Sequence, residues 1–236
     1  MKNNNFSLII PVYNEEKNIK PLVKEIINSL DNKFKYEVIF INDDSKDDSE
    51  KILIEISNKY SFVKYINHQK NYGQSKAIYT GINAAINDTI ITIDGDLQNN
   101  PYDILKLYNL YQSSVNVSLV GGLRTKRKDT YVKIISSKIA NKVRSMILRD
   151  DCIDTGCSLK VFSKKIFLSL PFFDGIHRFL PALFKACGTK TIFVEVDHRH
   201  RINGISKYDT FGRLYRGVMD LFKVLKIIKL ISKNHA

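Results

Sequence analysis

The sequence predicts an α/β domain with a mostly parallel sheet and helices on both of its faces. Two observations predict it. Through the first half of the chain, short β-branched runs alternate with longer stretches that carry apolar residues at helical spacing. Several of those runs end in polar clusters, where sheets of this kind bind ligands beyond the carboxyl ends of their strands.

The elements follow in order. Phe6–Pro11, Tyr36–Ile41, Phe62–Ile66, Thr89–Asp94 and Val117–Gly122 read as strands. Between them, Glu15–Leu30, Asp48–Lys59, Ser75–Ile86 and Tyr102–Tyr111 read as helices. The second half is less regular. Tyr131–Leu148 reads as a basic helix, Ser158–Ser163 and Thr191–His200 as strands, and Arg178–Cys187 as a helix. No linker rich in proline, glycine or serine interrupts the chain, and no repeat is visible. The expected organisation is one domain over residues 1–208 with a basic amphipathic extension over 209–236.

That extension is dominated by apolar residues from Thr210 to Ile231, but Arg213, Arg216, Lys223, Lys226, Lys229 and Lys233 recur at intervals of three, four or seven positions, which is helical spacing. Such a stripe suits either a helix packed on the domain with a solvated basic face or one lying in an anionic membrane interface.

At 236 residues, 44% hydrophobic and 26% charged, the composition is that of a globular protein and excludes a disordered chain. The formal net charge of +13 is concentrated. Arg124–Arg149 holds nine basic residues and one acid, and Arg199–Lys233 holds nine basic residues and two acids. Two basic windows imply an anionic partner such as phosphate or a membrane surface. "GGLRTKRKD" is basic enough for nucleic acid, but it lacks interleaved aromatics, so no nucleic acid is expected. Cys152, Cys157 and Cys187 lack metal-type spacing and read as reduced thiols. No apolar run reaches the roughly 18 residues of a spanning helix. The expected location is therefore cytoplasmic, peripheral at the cytoplasmic face of the membrane.

The chemistry centres on "TIITIDGDLQNNP", where a buried strand ends on Asp94 and Asp96 with Gln98 two residues further on. Two carboxylates one residue apart at a turn can converge on a single hard cation, although the same pattern alone also fits a solvated turn or a helix cap, and Gly95 leaves the turn uncrowded. Carboxylate and amide oxygens suit Mg2+ or Mn2+, whose remaining ligands are typically water and phosphate. The candidate metal ligands are Asp94, Asp96 and Gln98.

Taken together, "SLIIPVYNEEKNI", "VIFINDDSKDDS", "NYGQSKAIYTGI" and "TIDGDLQNNP" resemble the family 2 glycosyltransferases, which have the GT-A fold. "DGDLQ" followed shortly by proline resembles the dolichol-phosphate mannose synthase branch and its bacterial polyprenyl-phosphate relatives, and "RTKRKD", "DTGCSLKVF", "HRFLPAL" and "HRHRINGISKY" agree. The resemblance runs from about Ser7 to Leu221.

It implies an inverting, metal-dependent transfer of a sugar from a UDP- or GDP-linked donor to a polyprenyl phosphate. Pro11, Tyr13, Glu15 and Asp43 would line the base and ribose pocket, and Asp94, Asp96 and Gln98 the metal and diphosphate site. Arg124 and Arg127 would meet acceptor or donor phosphates, and Asp154 would stand near the donor sugar. Arg201, Ser206 and Lys207 match a phosphate-binding loop. The family usually has Gly where this chain has Asp44. Many bacterial relatives carry spanning helices after the "SKY" segment, so an anionic membrane surface or a membrane-protein partner is expected to bring this chain to its lipid. Two other functions fit parts of the pattern: transfer to a saccharide acceptor in cell-wall or surface-polysaccharide synthesis, and a non-catalytic basic membrane-binding module.

Overall fold

The structure, a computed structural model, describes residues 5–30, 34–124, 144–201 and 210–234. Its strands are β1 (Asn5–Val12), β2 (Lys35–Asn42), β3 (Val63–Asn67), β4 (Thr89–Thr92), β5 (Val117–Arg124), β6 (Lys160–Ser163) and β7 (Lys190–Val196). They form one sheet in the order β3-β2-β1-β4-β6-β5-β7. β6 runs antiparallel to both of its neighbours, β4 and β5, and the other pairings are parallel. The helices are α1 (Glu16–Leu30), α2 (Ser49–Lys59), α3 (Gln74–Ala84), α4 (Asp103–Ser113), α5 (Lys164–Ser169), α6 (Leu180–Ala186) and α7 (Thr210–Asn234). A 3-10 turn at Ile176–Arg178 precedes α6.

Strand alternation sorts the core into two layers. Phe6, Leu8, Ile10 and Val12 of β1 join Val38 and Phe40 of β2 in a cluster with Ile19, Leu22 and Ile26 of α1 and Ile104 and Leu107 of α4. Ile9, Ile39 and Ile41 point the other way and meet Ala77, Ile78 and Ile82 of α3 and Leu183 and Phe184 of α6. Each fully buried aliphatic side chain stabilises the fold by about 1.5–3 kcal/mol, so displacing either layer is costly.

The early elements match the sequence expectation to within two residues at most ends. The later ones differ more. The expected 178–187 helix divides into the 3-10 turn and α6, with Pro181 in the first turn of α6. The Thr191–His200 strand ends at Val196. α5 lies outside every expected helix; it is six residues long, and Ser163 caps it by accepting the N–H of Ile166. Most of the expected Tyr131–Leu148 helix lies outside the described residues, although residues 144–148 are helical.

α7 resolves the first half of the amphipathic question. Val224 is fully buried, and Leu221, Leu225, Ile228 and Ile231 pack on the second layer. Asp220, also buried, accepts a 2.6 Å hydrogen bond from Arg178. The outward face carries Met219, Phe222 and Leu230, exposed by 46%, 59% and 61%, beside the exposed Lys223, Lys226, Lys229 and Lys233. No described helix is long and apolar enough to cross a membrane.

Candidate active site

The strand order reverses between β1 and β4, and a sheet of this kind opens a crevice at the carboxyl ends of such neighbours. Tyr13 and Glu15 follow β1, Asp43 follows β2, and Asp94–Gln98 follows β4, so three separate polar clusters share one rim. Gly95 is packed against β1: a Cβ there would stand 3.1 Å from the Pro11 carbonyl oxygen and 3.3 Å from Val12 Cγ2. The missing side chain thus serves close approach of the acidic loop to β1. Leu97 is buried yet sits at φ +63°, a strained conformation fixed by the turn.

Burial and the adjacent Asp96 charge push the Asp94 carboxyl up to about 6, against the Ser158 hydrogen bond and the Lys160 and Arg124 charges. Asp94 Oδ1 also accepts from Gln74 Nε2 at 2.8 Å. Asp96 Oδ1 accepts the backbone N–H of Gln98 at 3.1 Å. Two carboxylates this close repel one another, and a bound cation would relieve the repulsion. The donor set fits Mg2+ or Mn2+ with water and phosphate oxygens completing the shell. Among the described residues no group of three or more His, Cys, Asp or Glu side chains is placed to hold a metal, so these two acids would supply the protein's carboxylates. The Gln98 amide directs Nε2 towards the Arg199 carbonyl at 3.4 Å.

Arg124, at the end of β5, and Asp154, in the loop before β6, are brought together as a two-pronged pair, with Nε to Oδ2 and Nη2 to Oδ1 both at 2.7 Å. Both side chains are close to buried. Burial acts to lower the Arg124 pKa, but the Asp154 carboxylate outweighs it and the guanidinium stays firmly charged. Asp154 Oδ1 also takes the N–H of Gly156. A Cβ on Gly156 would fall 2.5 Å from Arg124 Nη2, so the glycine makes room for the guanidinium.

Glu15 is paired with the guanidinium of Arg201 and accepts from Asn18 Nδ2 at 2.6 Å, joining the end of β1 to the segment after β7. Asp43 is largely committed to the neighbouring loop: Oδ1 takes the N–H of Tyr72 at 2.9 Å and lies 2.7 Å from His68 Nδ1, and Oδ2 takes the N–H of Gly73 at 2.7 Å. Asp44 occupies φ +64° and pairs with Lys46 at 2.6 Å, which gives the glycine usual at this position a conformational reason. Arg127, Ser206 and Lys207 lie outside the described residues.

Gln74, Ser158, Lys160, His177 and Arg199 belong to this site although they were not singled out in the sequence. Lys160 is buried and donates to the Cys157 carbonyl. Burial, with the charges of Arg178 and Lys160, pushes His177 down to about 3. All five lie within motifs that carry the family resemblance, but only the fold brings them to the site, with Gln74, Ser158 and Lys160 next to Asp94.

A sequence profile described as glycosyl transferase family 2 matches residues 7–170. The chain belongs to that family. Its nucleotide-sugar-dependent glycosyltransferase chemistry follows from membership. Among curated relatives, the undecaprenyl-phosphate 4-deoxy-4-formamido-L-arabinose transferase of Proteus mirabilis (strain HI4320) is 34% identical over 226 residues, covering 95% of this chain and 68% of the relative. The enzyme of the same name from Pectobacterium carotovorum subsp. carotovorum (strain PC1) is 32% identical over 237 residues, covering 97% of this chain and 71% of the relative. Among solved structures, glucosyl-3-phosphoglycerate synthase from Mycobacterium tuberculosis with Mg2+ and UDP superposes with a TM-score of 0.71 at 17% identity, over 94% of this chain and 78% of that one. The same enzyme with Mn2+, UDP-glucose and glycerol 3-phosphate gives 0.69 at 17% identity with the same coverage. At that identity the likeness establishes the GT-A-type fold of this family 2 glycosyltransferase.

Proposed function

We propose that the chain transfers a sugar from a nucleotide diphosphate sugar to a polyprenyl phosphate, with inversion and with a divalent cation held by Asp94 and Asp96. The observation that carries the reading is the close carboxylate pair at the strand-order reversal, with Asp94 pushed up to about 6 partly by its neighbour. The acceptor class rests on the undecaprenyl-phosphate relatives, which align along nearly the whole chain.

In the reaction, a phosphate oxygen of the acceptor forms a bond to the anomeric carbon. The bond from that carbon to the β-phosphate oxygen breaks, and the nucleoside diphosphate leaves with the electron pair. The attacking phosphate is already an anion, so no proton has to be removed. A bound Mg2+ or Mn2+ would neutralise charge on the departing diphosphate. Arg124 presents a fixed positive charge near Asp94, oriented by Asp154 rather than free to swing. Asp154 thus acts through Arg124. Arg201, with Ser206 and Lys207, would receive phosphate from the other side, Glu15 holding the Arg201 guanidinium meanwhile. Pro11, Tyr13 and Asp43 would shape the base and ribose end, Asp43 through the Tyr72–Gly73 backbone.

The outward face of α7, with Met219, Phe222 and Leu230 among lysines, would rest on an anionic leaflet and keep the enzyme peripheral on the cytoplasmic side. A membrane-protein partner would serve the same purpose.

The test is transfer from a panel of UDP- and GDP-sugars to undecaprenyl phosphate, with a saccharide acceptor as the second arm. Asp96→Asn is expected to lower turnover at least a hundredfold at saturating Mg2+. Undiminished turnover would falsify the metal assignment, and transfer only to the saccharide would remove the lipid acceptor.

A further inference from the structure

The first turn of α3 is pinned on both sides of Gln74. Before it, the Asp43 carboxylate holds the backbone N–H groups of Tyr72 and Gly73 at 2.9 and 2.7 Å. After it, Ser75 Oγ accepts the N–H of Gly175 at 2.7 Å and lies 2.7 Å from His177 Nδ1. The Gln74 amide, so anchored, donates to Asp94 Oδ1 at 2.8 Å. Behind this contact lies a cavity of about 10 Å3, room for about one water, lined in part by Gln74, Thr92, Ser158, Lys160 and His177.

We propose that Gln74 is a positioning residue that fixes the Asp94 carboxylate in the orientation a divalent cation requires, without touching cation or donor. The helix does not need the amide for its own packing. α3 is held to the sheet by Ala77, Ile78, Gly81 and Ile82. Another acid of the rim, Asp43, is linked to Asp94 through the same turn, so Gln74 makes the two ends of the proposed donor site one rigid frame. Carboxylates that ligate metals are themselves oriented by hydrogen bonds, and losing such a partner typically costs about 10- to 100-fold in metal affinity. The inference rests on the cation reading above.

The experiment is Mn2+ binding to the full chain, followed by the electron paramagnetic resonance signal of free Mn2+, with and without UDP. Gln74→Ala and Gln74→Met are compared with the parent; Met keeps the length and helix propensity of Gln but has no N–H. Both variants are expected to bind Mn2+ about 10- to 100-fold more weakly, with melting temperatures close to the parent's. In transfer assays the Mn2+ concentration for half-maximal rate should rise, while the rate at saturating Mn2+ largely recovers. Parent-like Mn2+ binding in folded variants overturns the positioning role and leaves the cation reading intact. A parent chain that binds no Mn2+ overturns both. If Gln74→Ala unfolds, Gln74→Met decides, and unfolding of both would make the residue a folding determinant and end the proposal.

Discussion

Replacing Lys226, Lys229 and Lys233 of α7 by Gln tests the membrane surface without disturbing the fold. All three are exposed, whereas the helix docks through Val224, Leu221, Leu225 and Ile228. Lys223 is left alone because its Nζ lies 3.5 Å from Asp220 Oδ1 and is partly committed. A lysine close to an anionic leaflet contributes about 1 kcal/mol, so the triple change should remove about 3 kcal/mol. At 1.4 kcal/mol per decade this is roughly a hundredfold in partitioning. The assay is co-sedimentation with vesicles of phosphatidylglycerol and phosphatidylcholine at low and moderate salt. Binding of the parent should fall as salt shortens the screening length towards about 8 Å, and the triple variant should already be weak at low salt. Phe222→Ser should weaken binding at every salt concentration, because its contribution is apolar burial. A triple variant that binds within threefold of the parent, or a parent insensitive to salt, would refute the interfacial reading of this face.

Two further outcomes are expected. His177 is held down to about 3 in the fold, below the ~6.5 of a free imidazole. The unfolded chain therefore binds more protons between those values, and stability should fall as pH drops below about 6.5, by up to about 1.4 kcal/mol per unit. Urea unfolding at pH 7 and pH 5 should show the loss, and His177→Gln should flatten it by up to about 2 kcal/mol; equal slopes would count against a buried neutral imidazole. Gly156→Ala places a methyl 2.5 Å from Arg124 Nη2 and should displace the guanidinium from Asp154. With charge-assisted hydrogen bonds worth about 1.5–3 kcal/mol, kcat/KM should drop at least tenfold in a folded enzyme, and an unchanged value would remove Arg124 from the reaction.

The strand-and-helix alternation of the first half was legible because each element is short, strongly periodic and flanked by turn residues. β1, α1 and β4 are fixed by local pattern and topology together. Legibility failed where a tertiary contact sets the boundary. The chain leaves β7 at Val196 because the next residues bond to the acidic loop instead of to β5: Asn99 and His198 form an isolated bridge, and Arg199 N–H donates to the Gln98 carbonyl at 2.8 Å. The acids of the site were readable as types: Asp94, Asp96 and Asp43 stand at strand ends. Their partners were not, since Gln74 is an ordinary helix-opening residue until the sheet brings it against Asp94, and the Arg124–Asp154 pair spans 30 positions. Asp44 shows the reverse case, in which a departure from the family pattern became intelligible only once its left-handed backbone was seen.

The segment after β7 has a consequence for how the donor would be held. Arg199 donates from Nη1 to both Glu25 oxygens at 2.9 and 2.7 Å and from Nη2 to Asn100 at 2.9 Å. Its main chain is paired to Gln98, and Arg201 reaches Glu15. The Arg199 and Glu25 side chains are about a third exposed, so their ion pair contributes no more than about 1 kcal/mol. Its larger effect is on register. The backbone bond between Arg199 and Gln98 fixes the position of Arg201 relative to the acidic loop, and a slip of one residue would turn Arg201 away from Glu15. On the proposed reading, a diphosphate held between a cation and Arg201 would need that spacing set before it arrives. The rim carries it in main-chain pairing between two stretches of chain a hundred residues apart, a position that no local sequence pattern marks.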